Sequence, residues 1–441
     1  MPFPLFTDVL LWLLIAAVAF YAWYCSRRPH LAAPWKRVFQ SKAAMVCSVI
    51  LVCFVAIGLL DSFHYRPRLS GGGYSPEVVS VLDLALSHLR ERRERTYSAP
   101  LATRLYSKEQ MQLEGKTVRD FPRLAHGGAH LRDESDKPRD IAARVGLGLL
   151  CAALAAIVLG LIVRRLRRRP EVPWRAAGAT LLVILAVVFP VAFVAHGYHV
   201  LGTDKVGQDV LYQALKSVRI SLVIGTLTTL VLLPVGIALG IMAGYFRGWI
   251  DDVIQYLYTT LNSIPGVLLI AAAVLMMQVV IDRNADWFPT AAQRADFRLL
   301  ILCAILGLTS WTGLARLLRG EALKLSQLEY IQAAHAFGVG DARILSRHIL
   351  PNVSHIVIIA MVMDFSGLVL AEAVLSYVGV GVDPATTSFG TMINSARLEM
   401  GREPIVWWSL AAAFVFMFLL VLAANLFADA VRDGFDPRVR M

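Results

Sequence analysis

The chain has 441 residues, of which 57% are hydrophobic and only 17% charged, and its mean hydropathy is +0.60. Those proportions exclude a disordered chain, a collagen and a small disulfide scaffold, and they argue against a soluble cytosolic enzyme in favour of an all-α, polytopic membrane protein. The formal charge of +11 fits basic loops that set membrane orientation, since in a membrane protein lysine and arginine collect on one side.

A helix needs roughly 20 apolar residues to cross about 30 Å of hydrocarbon, where all its backbone polar groups must be satisfied internally. Nine stretches qualify, at about 9–25, 43–60, 143–163, 178–195, 221–244, 255–281, 299–318, 353–378 and 406–428. No Lys or Arg precedes Arg27, so the first stretch reads as a signal anchor or first span that is not cleaved. Pro234 and Pro265 are expected to kink their spans, and Asn262, Ser263 and Pro265 interrupt the run at 255–281. The five cysteines, Cys25, Cys47, Cys53, Cys151 and Cys303, lack paired or metal-ligand spacing and read as free packing residues.

Between the second and third spans lies the one long polar segment, 61–142. It opens with Gly71, Gly72 and Gly73, and then offers an amphipathic helix from about Pro76 to Arg95 with Val78, Val81, Leu82, Leu86 and Leu89 on one face. The remainder is weakly patterned, and both an accessory docking cap and a poorly ordered insertion stay open. The short loops at 26–42, 164–177, 245–254 and 319–352, with the tail from 429, hold 19 Lys and Arg, against 8 in the short loops of the other side. By the positive-inside rule the first set is cytoplasmic, with the N-terminus outside, the C-terminus inside and segment 61–142 external. The strongest anchor, Arg164, Arg165, Arg167, Arg168 and Arg169, reads as a solvated stop signal beside anionic headgroups rather than a nucleic-acid patch.

Chemistry of its own is hard to find. Glu114 to Thr117 is the nearest match to a phosphate-cradling loop, but Gln110 stands where the first glycine belongs and no apolar strand precedes it. There is no HExxH, no GxSxG elbow and no clustered metal-ligand set, so neither catalytic nor metal residues are expected.

The loop at 319–352 is too polar to cross and too regular for a linker. Tyr330, Ile331, Ala333, Ala334 and Phe337 predict a short helix, and Gly338 can take the left-handed conformation that ends it. Asp341 is expected to N-cap a second short helix over Ala342 to His348, and Pro351 to mark the start of the next span. Two readings stand: a re-entrant corner that joins two spans, or a protruding knob that seats in a groove on a soluble partner.

The stretches EYIQAAHAFG (Glu329 to Gly338) and RHILPN (Arg347 to Asn352) resemble the EAA loop of binding-protein-dependent ABC importer permeases. HVLGTDKVGQDV from His199 to Val210 is similar to the segment before the second core span in C-type subunits of the dipeptide/oligopeptide permeases. AGYFRGWID (Ala243 to Asp251), AEAVLSYVG (Ala371 to Gly379) and VRDGFDPR (Val431 to Arg438) match in the same order, so the resemblance spans about 178–438. It implies a six-helix type I importer permease core at 178–438, preceded by an extension over 1–177 with about three spans and the external insertion. It also implies a second permease subunit, two cytoplasmic ATPases that use ATP and magnesium, and an external solute-binding protein, with no cofactor on this chain. Glu329, Tyr330, Gln332, Ala333, Ala334, Phe337, Gly338, Asp341 and Pro351 would then couple to the ATPases. Gln332 departs from the motif's glutamate and keeps a hydrogen bond while losing the charge.

Four acids could serve a path or gate. Asp364 lies mid-span and Glu372 two turns on; a carboxylate there faces a cavity, hydrogen-bonds a neighbouring helix or is protonated. Asp204 and Asp209, with Lys205, could meet the binding protein or gate the pore, surface solvation being the ordinary alternative. The expected function is a permease subunit moving peptides or similar small polar solutes across the bacterial inner membrane by alternating access. The rival is a proton-coupled transporter with Asp364 and Glu372 as its relay.

Overall fold

A computed structural model describes residues 1–68, 73–113, 116–166 and 172–435. Gly71, Gly72, Glu114, Gly115, Arg167 to Arg169 and the end of the tail motif from Asp436 lie outside the described residues. In chain order the elements are α1 (Phe6–Ser26), α2 (Pro29–Gln40), α3 (Lys42–Asp61), β1 (His64–Tyr65), β2 (Val79–Ser80), α4 (Val81–Ala85), α5 (Ser87–Glu91), β3 (Glu109–Leu113) and β4 (Lys116–Asp120). There follow α6 (Lys137–Leu166), α7 (Trp174–Ala195), α8 (Val210–Phe246), α9 (Gly248–Ser263), α10 (Gly266–Arg283), α11 (Ala291–Ser310), α12 (Thr312–Leu325), α13 (Glu329–Ala336), α14 (Asp341–Ile344), α15 (Leu350–Val378), α16 (Phe389–Glu399) and α17 (Trp408–Phe435). Among the described residues nine helical stretches are long and apolar enough to cross a membrane, and each overlaps a predicted span.

The run predicted over 255–281 is not one helix. Ile264 is extended (ψ 132°) before Pro265, whose ring disfavours helix at the preceding residue, so α9 stops at Ser263 and α10 restarts at Gly266. Pro234, by contrast, sits inside the continuous α8.

The chain divides into two compact units. One comprises Met1–Pro4, Phe39–Ser221 and Thr387–Ala423. Within it α6 packs along α7, and a Cβ at Gly148 would lie 2.6 Å from the Pro190 nitrogen, so a larger residue would drive the two helices apart. The helix predicted from Pro76 to Arg95 is replaced by β2, α4 and α5. Ser80 Oγ accepts from the Asp83 amide and the Asp83 carboxylate accepts from the Ser80 amide, both at 3.0 Å, so this capping box starts the helix only at Val81. Leu86 then leaves the helical region and breaks it again, although Leu82 and Leu89 are buried as their spacing implies.

The insertion is folded against the segment 199–209. The Glu94 amide donates to the Gly207 carbonyl at 2.9 Å, Leu101 to His199 at 2.9 Å, and Thr203 to Ser98 at 3.1 Å. Gly207 has φ +72°, and a Cβ there would collide with the backbone of Glu94. Close backbone approach is thus one reason this motif carries glycine.

The other unit comprises Leu5–Val38, Leu222–Thr386 and Ala424–Met441. Here α1 is latched to α11: Thr7 is buried and donates its amide (3.0 Å) and its hydroxyl to the buried Asp296 carboxylate. Gly236, Gly240 and Gly244 form a stripe on α8 that lets α12 approach closely, since a Cβ at Gly240 would stand 2.7 Å from the Ala315 carbonyl oxygen. Around that contact Leu232, Leu314, Leu318, Ile331, Ile344, Ile349 and Val353 make a continuous core, which holds the loop between α12 and α15.

Candidate functional site

The loop leaves α12 through Ser326 to Leu328 and returns through α13, α14 and a π-helical turn, Leu345–Ile349, into α15. Its anchor is Ile331, which is 2% exposed and packs in the core with Ile344 and Ile349. Burial of such a side chain is worth about 1.5–3 kcal/mol, enough to hold a short helix that has little stability of its own. Glu329 opens α13 and is exposed; Ala333 is exposed and Ala334 half-buried against the core. Tyr330 is half exposed and its hydroxyl accepts from Asn352 Nδ2 at 3.1 Å. Phe337, at 87% exposure, is the most exposed large apolar residue of the chain's described part.

Gly338 takes φ +76° as the sequence implies. Its amide donates to the His335 carbonyl at 2.9 Å and the Val339 amide to Ala334 at 3.1 Å, the paired bonds of a Schellman end. Asp341 differs from expectation: Gly340 occupies the N-cap position, and the Asp341 carboxylate instead accepts from the Tyr245 hydroxyl at 2.7 Å. The helix predicted over Ala342 to His348 is present as α14 and the π-helical turn after it, which continue without a break into α15, with Pro351 in that helix's first turn.

Gln332 donates from Nε2 to the Gln327 carbonyl at 3.2 Å. A glutamate has no proton to give there, so the amide ties α13 to the turn before it. At the root of the loop Arg319 and Asp251 form a bidentate pair, and that pairing, chiefly the hydrogen bond from Arg319, holds the Asp251 carboxyl below its ordinary value. Tyr245, Phe246, Arg247, Ser326, Gln332 and His335 line an open groove of about 550 Å³ beside α13. Neither the Tyr245–Asp341 bond nor Arg247 was singled out from the sequence: the first joins residues far apart in the chain, and the second sits in a motif read only as a match.

The acids assigned to a path or gate are spread over different environments. Asp204 caps its own turn, accepting from the Val206 and Gln208 amides at 3.0 and 2.8 Å and from Gln213 Nε2 at 2.6 Å. Asp209 is wholly buried and caps α8 through the Leu211 amide at 2.8 Å while pairing with His199 at 2.8 Å. Lys205 is exposed. Glu372 is buried and accepts from Ser376 Oγ at 2.7 Å. Asp364 is half-buried, and among the described residues no side chain hydrogen-bonds or pairs with it. Among the described residues no group of three or more His, Cys, Asp or Glu could hold a metal.

Residues 236–441 match the family described as binding-protein-dependent transport system inner membrane component. The glutathione transport system permease protein GsiD of Pectobacterium atrosepticum is 33% identical over 284 residues, covering 60% of this chain and 87% of that relative. The oligopeptide transport system permease protein OppC of Mycobacterium tuberculosis is 31% identical over 242 residues, 55% of this chain and 77% of that one. The dipeptide transport system permease protein DppC of Lactococcus lactis is 30% identical over 240 residues, 54% and 64% respectively. An inward-facing structure of the MetNI methionine ABC transporter is similar over 50% of this chain and 97% of that one, at 16% identity and a TM-score of 0.37, too slight a likeness to bear on the fold.

Proposed function

Since the chain belongs to the binding-protein-dependent transport system inner membrane component family, we propose that it is a permease subunit of an ABC importer that carries peptides or closely similar polar solutes inward. It is a multi-pass inner-membrane protein. The permease core is 178–438, and the extension over 1–177 is an addition to it. The loop at 319–352 lies in the cytoplasm with the C-terminus, and the N-terminus and the insertion lie outside. A second permease subunit completes the path, two cytoplasmic ATPases burn ATP with magnesium, and an external binding protein delivers the solute.

The observation that carries this reading is the loop itself: a short helix pinned at Ile331, braced at its root by Arg319 and Asp251, and presenting Phe337 outward. A pinned helix with an exposed aromatic tip moves as one body with the spans on either side. Closure of the ATPases would draw such loops together and tilt α12 and α15, exchanging an inward-open cavity for an outward-open one; the solute biases this only through different affinity for the two states. Tyr330, Gln332, Ala333, Ala334, Gly338, Asp341 and Pro351 shape or hold the knob, and Glu329 and Phe337 meet the ATPase. Of the four acids, Asp364 is assigned to the solute path, because a half-buried carboxylate without a protein partner in a span demands water or a polar ligand. Asp204, Asp209 and Glu372 are assigned to structure through the bonds above. A proton relay receives no support from Glu372, which is fully buried and hydrogen-bonded within its own helix.

The test is reconstitution. Vesicles holding the chain with its second permease subunit, the ATPases and the binding protein should accumulate peptide only with ATP. Uphill uptake by vesicles containing this polypeptide alone would refute the proposal.

A further inference from the structure

Arg247 is built into a backbone conformation that a fold would not choose for it. Its φ of 55° and ψ of −165° lie in a region that is essentially glycine's, and the next residue, Gly248, also has positive φ. Glycine would serve this turn without strain, so the arginine is retained at a cost to stability. Its side chain does not explain the cost. It is exposed, its guanidinium donates only to Ser326 Oγ at 3.0 Å, and it has no ion pair among the described residues.

The guanidinium lines the groove beside α13, where Gln332 also lies. Gln332 carries no charge, and its amide is turned to the Gln327 carbonyl. The groove's one carboxylate, Asp341, is engaged by the Tyr245 hydroxyl, and no ion pair joins it to Arg247. A strained, exposed cation without an ion pair in an open polar groove lacks one thing, an acid that pairs with it.

We infer that the groove between Arg247 and α13 receives an acidic side chain of the ATPase subunit, which forms a charge pair across this interface with its cation on the permease. The inference rests on the proposed function, because it takes the ATPase as the occupant. An acid from the ATPase would meet a planar guanidinium suited to two parallel hydrogen bonds. The loss of charge at Gln332 then has a function, since an acid there would compete for Arg247.

The test uses the full complex in detergent, with the cognate ATPase tagged and the permease retained on it measured across a potassium chloride titration. Arg247→Gly removes both charge and strain. It is expected to leave the thermal midpoint of the permease unchanged or raised, while weakening ATPase association about tenfold and flattening its salt dependence. Arg247→Lys should keep most of the association, and Gln332→Glu should weaken it. Wild-type association and salt slope in Arg247→Gly overturns the inference, as does tighter association in Gln332→Glu. A lowered thermal midpoint in Arg247→Gly also overturns it, because the arginine would then serve the fold. If the wild-type permease retains no ATPase at any salt concentration, the proposed function itself fails and this inference with it.

Discussion

Arg319 and Asp251 meet through two parallel hydrogen bonds, Nε to Oδ1 and Nη2 to Oδ2, each 2.6 Å. The aspartate closes the AGYFRGWID motif on α9, and the arginine stands on α12 at the first residue of the loop, so the pair braces the loop's root against α9. Asp251→Ala is expected to lower stability by about 2 kcal/mol, the worth of charge-assisted bonds with limited exposure. The thermal midpoint in detergent and amide exchange over 319–325 would read it. Because pairing depresses the folded value of Asp251, its contribution is complete above the ordinary carboxylate value of 3.8 and is lost as pH falls below it. Unaltered exchange in the variant would remove the brace from the mechanism.

Ile331 tests whether the loop is pinned. Ile331→Ala deletes apolar atoms from a site that is 2% exposed and should cost about 2–5 kcal/mol, whereas Ile331→Val should cost about 1 kcal/mol. In reconstituted vesicles the alanine variant should hydrolyse ATP without matching uptake. Full coupling in that variant would mean that the knob is held by something other than its core contact.

Gly338 separates conformation from contact. Nothing lies within 4 Å of a Cβ placed there, so Gly338→Ala should cost only the strain of φ +76°, about 1 kcal/mol. Gly338→Pro cannot adopt that angle and loses the amide bond to His335, so it should destroy the Schellman end and uncouple uptake from hydrolysis without preventing membrane insertion. Undiminished uptake with proline at this position would refute the assigned knob.

The spans were legible because apolar length alone decides which helices cross, and length is a local property. Gly338 was legible because a helix end followed by Gly-Val-Gly has few other solutions. Two other readings failed for different reasons. The stretch 255–281 is long enough in total to read as one span, although Asn262, Ser263 and Pro265 interrupt it, and the steric break at Ile264 and Pro265 divides it into two helices. The position of Asp341 before a polar helix suggested a cap, but its hydroxyl partner Tyr245 is 96 residues away and invisible to local pattern. Within the insertion the Ser80 and Asp83 spacing did encode the helix start, and it was overridden by an apolar periodicity that spans two short helices. That Asp209 would be buried against a histidine required the insertion's fold, which no short window contains.

His199 gives the clasp on the insertion a pH dependence. Its ring is 3% exposed, with Nδ1 2.8 Å from Asp209 Oδ2 and Nε2 3.4 Å from Glu94 Oε1. Burial works against the charged ring, but the hydrogen bond to Asp209 and the facing Glu94 carboxylate outweigh it and push His199 up to about 9 from 6.5. For Glu94 burial favours the neutral acid, yet the facing His199 ring and the hydrogen bonds from the Ala125, His126 and Gly127 amides bring it down to about 2 from 4.5. A folded value above the unfolded one makes the His199 contribution complete below 6.5 and lost as pH rises through about 9. The Glu94 contribution is complete above 4.5 and lost as pH falls toward 2. Protection factors for the amides of 94–103 and 199–209 should therefore hold level between 4.5 and 6.5 and fall between 6.5 and 9, by an amount on the order of a few kcal/mol. His199→Gln should start lower and lose the fall above 6.5, because its amide keeps a donor but cannot titrate. The same fall in the variant would assign the effect to another group, and a level wild-type profile would show that the ring is neutral in the fold.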